Sequence, residues 1–252
     1  MDTTAHTLSF AVYALARYPE VQLRCQGEVD QWIADHASSV TQLSTLPPYT
    51  EAMLKECMRK WPVAGPGSMR QVHQPEGVQL TPSIHLPRDW WVLVSLHTIH
   101  NSKEAWGENA EEFLPERWLP RDGNSHQTHE EDPLSAPEGD GKDVSSRGAT
   151  PVSLPASKID GAFSDNSHLA SPSCYAGSGY SSEELCFLPF SYGIRNCVGM
   201  NLALMELRIT LLGLIARYHF SLEGNENEED MFETVFTLRP RHGCPIRVAK
   251  RE

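Results

Sequence analysis

The chain has 252 residues, 40% hydrophobic and 21% charged, an ordinary composition for a globular protein able to bury a sizeable core. Its formal net charge of −12 argues against nucleic acid as a partner, because nucleic-acid binders carry a basic face. No stretch suits a membrane span, since Glu206 and Arg208 interrupt the most apolar run, Met200 to Ile215, and Asp2 and His6 stand where a signal peptide needs a basic and then an apolar region.

In chain order, Thr3 to Tyr18 reads as a helix, because Leu8, Ala11, Val12 and Leu15 recur at helical spacing and Pro19 ends it. Pro19 opens a second helix that runs to about His36, with Val21, Cys25, Val29 and Ile33 as one stripe. Ala37 to Pro48 is rich in Ser and Thr and reads as a loop. A third helix covers Tyr49 to Lys60 and is stopped by Pro62. Glycines and prolines from Gly65 to Pro87 then punctuate β-like runs at Ser68–Val72, Val78–Leu80 and Trp91–Leu96, which predict a small antiparallel sheet. Lys103 to Trp118 reads as a meandering coil with short turns.

Leu119 to Glu184 is rich in Ser, Gly, Asp, Glu and Pro and poor in periodic apolar residues. Such a stretch buries too little apolar surface to offset its ordering entropy, so it is expected to be a disordered surface insertion. Order is expected again from Leu185, with a long helix from about Cys197 to Tyr218 and one or two β hairpins between Phe232 and Val248. The fold class is mainly α with small antiparallel β-sheets, an α+β arrangement.

Cys25, Cys57, Cys174, Cys186, Cys197 and Cys244 are scattered, with no C-x-x-C pair, which argues against a zinc site. The spacing supports no disulfide, and most of these cysteines read as small hydrophobes. Cys197 differs. It stands in Phe190-Ser191-Tyr192-Gly193-Ile194-Arg195-Asn196-Cys197-Val198-Gly199. The glycines on both sides suit a tight bulge that turns backbone N–H groups toward the sulfur. A following helix start and the nearby arginine favour a thiolate, a soft metal ligand.

This segment resembles the heme-binding loop of the cytochrome P-450 superfamily, Phe-x-x-Gly-x-Arg-x-Cys-x-Gly, with Phe190, Gly193, Arg195, Cys197 and Gly199 in the fixed positions. The resemblance implies heme b (iron protoporphyrin IX) as cofactor, with Cys197 as the axial ligand of the iron. It implies Arg195 paired with a heme propionate and Phe190 packed beside the ligand loop. Glu56 and Arg59 share a helix face at i, i+3, a spacing that by itself describes many solvated pairs. The family carries Glu-x-x-Arg on the matching helix, and Pro115-Glu116-Arg117-Trp118 resembles its Pro-Glu-Arg-Phe motif. A structural cluster of Glu56, Arg59 and Arg117 is therefore implied. Arg70 matches a second propionate-binding arginine. Asp2, Thr3 and Thr4 match the second half of the oxygen-activation motif of the family's central helix. By that match Asp2 and Thr3 are the catalytic proton-relay pair; read without it, they are a helix N-cap.

The resemblance implies a heme-thiolate monooxygenase that inserts one atom of O₂ into a small apolar substrate. Electrons come from an NADPH-dependent reductase or another donor. Two alternatives remain: a heme-thiolate isomerase or dehydratase acting on a peroxide, and a non-catalytic heme-binding or scaffold protein. Members of the family are much longer than this chain. The chain is expected to be the C-terminal portion of that fold, divided into residues 1–118, an insertion at 119–184, and 185–252. Alone it is expected to bind heme poorly and to be inactive. Its parent is expected at the endoplasmic reticulum membrane, anchored through an N-terminal segment outside this sequence.

Overall fold

Apolar side chains three and four apart draw the first part of the chain into helices. In the computed structural model, which describes residues 2–36, 45–120, 186–192, 195–224, 232–235, 237–241 and 244–251, α1 is Asp2–Arg17 and α2 is Pro19–His36. Phe10, Ala11, Tyr13, Ala14 and Leu15 of α1 are buried, as are Val21, Cys25 and Val29 of α2. The third helix, α3, is Pro48–Lys60, with Pro48 in its first turn. Its start is capped from another helix. The Glu28 carboxylate accepts the Tyr49 and Thr50 amides at 2.8 Å each and the Thr50 hydroxyl at 2.9 Å.

The region after α3 forms two separate two-stranded sheets where the sequence predicts one. The strand β1 (Ser68–Gln71) pairs antiparallel with β4 (Trp91–Val94), while β2 (Val78–Thr81) folds back on β3 (Ile84–Leu86). The three residues of β3 sit between Pro82 and Pro87, which hides them from a search for alternating runs. The last predicted strand stops at Val94. Ser95 caps a short helix, α4 (Leu96–Asn101), by accepting the Thr98 amide, and Ser102 caps α5 (Lys103–Trp106). A 3₁₀ turn spans Pro115–Trp118. Leu119, placed in the insertion by composition, packs on the core. Residues 121–185, which hold the rest of that insertion, lie outside the described residues.

The long C-terminal helix, α6 (Met200–Arg217), begins three residues after Cys197 and ends before Tyr218. Tyr218–Leu222 is the strand β5, paired antiparallel with β8 (Ile246–Lys250). The strand β6 (Phe232–Thr234) pairs with β7 (Leu238–Pro240). Cys186 is buried and disulfide-bonded, a bond that the cysteine spacing does not reveal.

One core joins these elements: Phe10 and Leu15 of α1, Met53 and Leu54 of α3, Leu207, Leu211 and Ile215 of α6, and Phe220 of β5. Trp61 is its aromatic hinge, stacked on Phe10 at 5.9 Å and on Phe113 at 5.3 Å. Gln22 is buried in α2 yet fully used. Its amide nitrogen donates to the Phe220 carbonyl at 2.9 Å and to the Leu15 carbonyl at 3.1 Å, and its oxygen accepts the Phe220 amide at 2.7 Å. A helix side chain thus satisfies backbone groups of β5 that would otherwise be buried without partners.

Candidate functional site

Glu56 and Arg59 face inward from α3, and both side chains are fully buried. A guanidinium carries five N–H donors, and here each has an acceptor. Arg59 Nε donates to Glu56 Oε2 at 2.9 Å and Nη2 to Glu56 Oε1 at 2.8 Å. Nη1 donates to the carbonyls of His100 and Ala110 at 2.9 Å each, and Nη2 also reaches the Glu112 carbonyl at 3.0 Å. The carboxylate is equally occupied. Glu56 Oε1 also accepts the Leu114 amide at 2.9 Å and Arg117 Nε at 3.1 Å, and Oε2 accepts Trp118 Nε1 at 2.9 Å. Arg117 is held in turn by Asn109, whose side-chain oxygen accepts from Nη1 at 3.0 Å.

The structure therefore brings Glu56, Arg59 and Arg117 together, and adds Trp118 and Asn109. Burying this much charge is tolerable only because every donor and acceptor is matched. What the cluster does is mechanical. It pins the coil from Ala110 to Trp118 against α3, and no polar atom of the ion pair is left over for a ligand.

The cysteine loop approaches from the other side. Ser191 adopts a left-handed backbone (φ 65°), reversing the chain after Pro189 and Phe190. The Cys197 amide donates to the Phe190 carbonyl at 2.9 Å, closing the loop, and the Cys197 carbonyl accepts the Met200 amide at 3.3 Å. The amide of Cys197 is thus spent on the loop. With α6 starting at Met200, the sulfur precedes the helix by a turn; the sequence reading put it at the helix start. The Cys197 side chain is exposed, and a Cβ built on Gly199 would come 4.0 Å from its sulfur. Among the described residues it is the one exposed cysteine. Cys25 and Cys57 are buried, and burial pushes both thiols up, Cys25 to about 12, so neither is a ready thiolate.

Phe190 is half-buried against the core and Arg195 is exposed. Gly193 lies outside the described residues. Arg70 is exposed on β1, and its Nη1 donates to the Met69 carbonyl at 2.9 Å. Asp2 and Thr3 form the exposed first turn of α1, where the Thr3 carbonyl accepts the Thr7 hydroxyl at 3.0 Å. Val198, next to Cys197, is exposed, and Leu202, Met205 and Ile209 form an exposed apolar stripe along α6.

A family profile described as Cytochrome P450 matches residues 1–135 and 176–244, most of the chain. The chain belongs to the cytochrome P450 family. Among its relatives, "Putative cytochrome P450 cyp-13B1" of Caenorhabditis elegans is 27% identical over 230 residues, which cover 91% of this chain and 33% of that protein. "Cytochrome P450 monooxygenase cfoH" of Aspergillus candidus is 28% identical over 254 residues, covering 100% of this chain and 38% of its own. The crystal structure of a cytochrome P450, CYP102L1, superposes with a TM-score of 0.63 at 22% identity, over 99% of this chain and 42% of that one. The likeness to CYP102L1 shows the P450 fold. The chain spans about a third of the length of the relatives it matches.

Membership implies heme as cofactor and, for the family in general, a redox partner, an organic substrate and O₂. The donor set fits such a group. Among the described residues no three His, Cys, Asp or Glu side chains gather to cage a bare metal ion. A lone exposed thiol beside an apolar stripe instead suits a metal carried by an organic cofactor, to which the protein would supply one soft donor. Among the described residues no helix is long and apolar enough to cross a membrane.

Proposed function

We propose that the protein is a heme-thiolate monooxygenase with heme b bound through Cys197. The supporting observation is the exposed Cys197 thiol, in a loop closed by its own amide, within a chain of the P450 family. Bound there, heme would supply O₂ activation, with the balance RH + O₂ + 2 H⁺ + 2 e⁻ → ROH + H₂O. The electrons come from NADPH through a reductase.

The chain's own residues have separate tasks in this reading. Cys197 Sγ would hold the heme iron, and Gly199 would leave room for close approach beside it. Phe190 would pack beside the ligand loop. Arg195 and Arg70 are exposed at the surface and would pair with propionates. The Asp2 carboxylate and the Thr3 hydroxyl would hold and pass protons. Glu56, Arg59 and Arg117 touch nothing that reacts and hold the coil under the site.

The substrate is small and apolar. An insertion between the two parts of the domain, shorter than the 119–184 read from composition, is supported by the gap between residues 135 and 176 in the family match. The apolar stripe of α6 needs a cover before the site can exclude water. In this reading turnover belongs to a chain of the relatives' length, residues 1–252 alone bind heme weakly, and the endoplasmic reticulum membrane is the proposed location. The test supplies hemin-loaded protein, expressed from its full gene, with NADPH, reductase and ¹⁸O₂. One labelled oxygen atom in the product supports the reading. Reductase-independent turnover of a hydroperoxide, with no label taken up from O₂, overturns it in favour of an isomerase.

A further inference from the structure

His100 of α4 is outside every group assigned above, and its side chain is fully buried. Its Nε2 accepts the Leu188 backbone amide at 2.8 Å, and its ring packs on Phe187 with centroids 5.5 Å apart. Its carbonyl accepts from Arg59 Nη1 at 2.9 Å. One residue thus ties the Glu56–Arg59 cluster to the segment leading into the cysteine loop. The connection continues along that segment. The Leu188 carbonyl accepts the Ser191 amide at 3.0 Å, and the Phe190 carbonyl accepts the Cys197 amide at 2.9 Å. Pro189 has no N–H, so anchoring of the turn falls to its neighbours.

We propose that His100 is a positioning residue for Cys197: by holding the Leu188 amide it fixes the base of the loop and thereby where the thiol stands. This rests on reading Cys197 as the heme ligand. An imidazole nitrogen accepts a hydrogen bond only while unprotonated. Burial keeps the ring neutral, outweighing the opposing Met58 backbone, and the Arg59 charge adds to the effect, so the ordinary 6.5 falls to about 4. The ring's proton then sits on Nδ1, which is buried near the Met58 backbone without a well-formed hydrogen bond. The well-formed hydrogen bond of the ring is the one made with the loop base.

Two variants separate positioning from mere filling of space. His100→Phe keeps an aromatic ring and removes the acceptor; His100→Gln keeps an acceptor near the Nε2 position. Amide exchange measured on the heme-free chain reads the anchor directly. His100→Phe is expected to speed exchange at Leu188 roughly tenfold, as for a lost buried partner, and His100→Gln to restore it. Should the Phe variant not fold, His100→Asn, whose oxygen stops a bond short, takes its place. In hemin-loaded protein expressed from its full gene, the reduced carbonyl spectrum reads the sulfur. His100→Phe is expected to lose a large share of the long-wavelength thiolate band, and His100→Gln to keep it. Unchanged exchange and an unchanged band in His100→Phe, or equal losses in Phe and Gln, overturn the proposal. A wild-type protein with no thiolate band overturns the heme-thiolate reading and the last step of this one, while exchange at Leu188 still decides whether His100 anchors the loop.

Discussion

Replacing Glu56 by Gln changes one atom in the middle of the buried cluster. The shape is nearly kept, but one acceptor oxygen becomes an NH₂ donor. Either orientation of the amide meets trouble. At the Oε2 position the new nitrogen faces Arg59 Nε and Trp118 Nε1, each now at 2.9 Å. At the Oε1 position it faces Arg59 Nη2, the Leu114 amide and Arg117 Nε. Meanwhile the guanidiniums of Arg59 and Arg117 lose their carboxylate, with Arg59 wholly buried and Arg117 largely so. Breaking a buried pair by removing one partner costs about 3–5 kcal/mol, and each donor left unmatched adds about 1–3 kcal/mol, not additively. The expected loss is about 4 kcal/mol or more, a large share of the roughly 5–15 kcal/mol that holds a domain folded. Urea unfolding followed by far-UV circular dichroism measures it. Glu108→Gln is the control, because Glu108 meets Lys103 at 3.2 Å on the surface and its loss should leave stability unchanged. A Glu56→Gln protein within about 1 kcal/mol of wild type refutes the claim that a fully matched buried carboxylate holds this coil.

Trp118→Phe removes the indole donor to Glu56 Oε2 and trims the ring that packs on Trp106 and Phe187, and is expected to cost at least about 1 kcal/mol in the same assay, the carboxylate keeping its other donors. Gly67 has φ 86°, and a Cβ there would run into the Val94 carbonyl; Gly67→Ala is therefore expected to cost at least about 2 kcal/mol and to lower the melting temperature. His100 gives a pH dependence. Its folded value of about 4 lies below the unfolded 6.5, so the unfolded chain binds the extra proton between them, and stability present above pH 6.5 is lost as pH falls toward 4. That loss is about 3 kcal/mol, read from urea midpoints across the window, and His100→Gln should lack it; parallel pH profiles for the two proteins contradict the assignment.

The helices were legible because their punctuation is local. Pro19 and Pro48 open helices, Pro62 closes one, and the stripes between them have period 3.6. The strand β5 was not. Tyr218-His219-Phe220-Ser221-Leu222 follows α6 without a glycine or proline, and its partner β8 begins two dozen residues further along. Strand character there is conferred by the partner and by Gln22, neither adjacent in sequence. The same holds at the site. The i, i+3 spacing of Glu56 and Arg59 looks like any solvated pair, and resemblance to a family singled it out. His100 acts on Leu188, far along the chain, and Asn109 acts on Arg117 across a coil with no regular period, so no local pattern marks them, while Trp118 was visible only as part of the family motif. The serine caps of α4 and α5 are local signals, but Ser95 lies inside the apolar run Trp91–Leu96, which has the composition of a strand.

The central claim is that the sulfur of Cys197 binds heme iron. Protein expressed from its full gene, supplied with hemin, reduced with dithionite and exposed to carbon monoxide, measures this in one spectrum. The heme that binds should show the long-wavelength Soret band of a thiolate-ligated carbonyl, and Cys197→Ser should abolish that band while the fold, read by circular dichroism, stays. A wild-type spectrum of the histidine-ligated kind, or the same spectrum with and without the Cys197 thiol, contradicts the account.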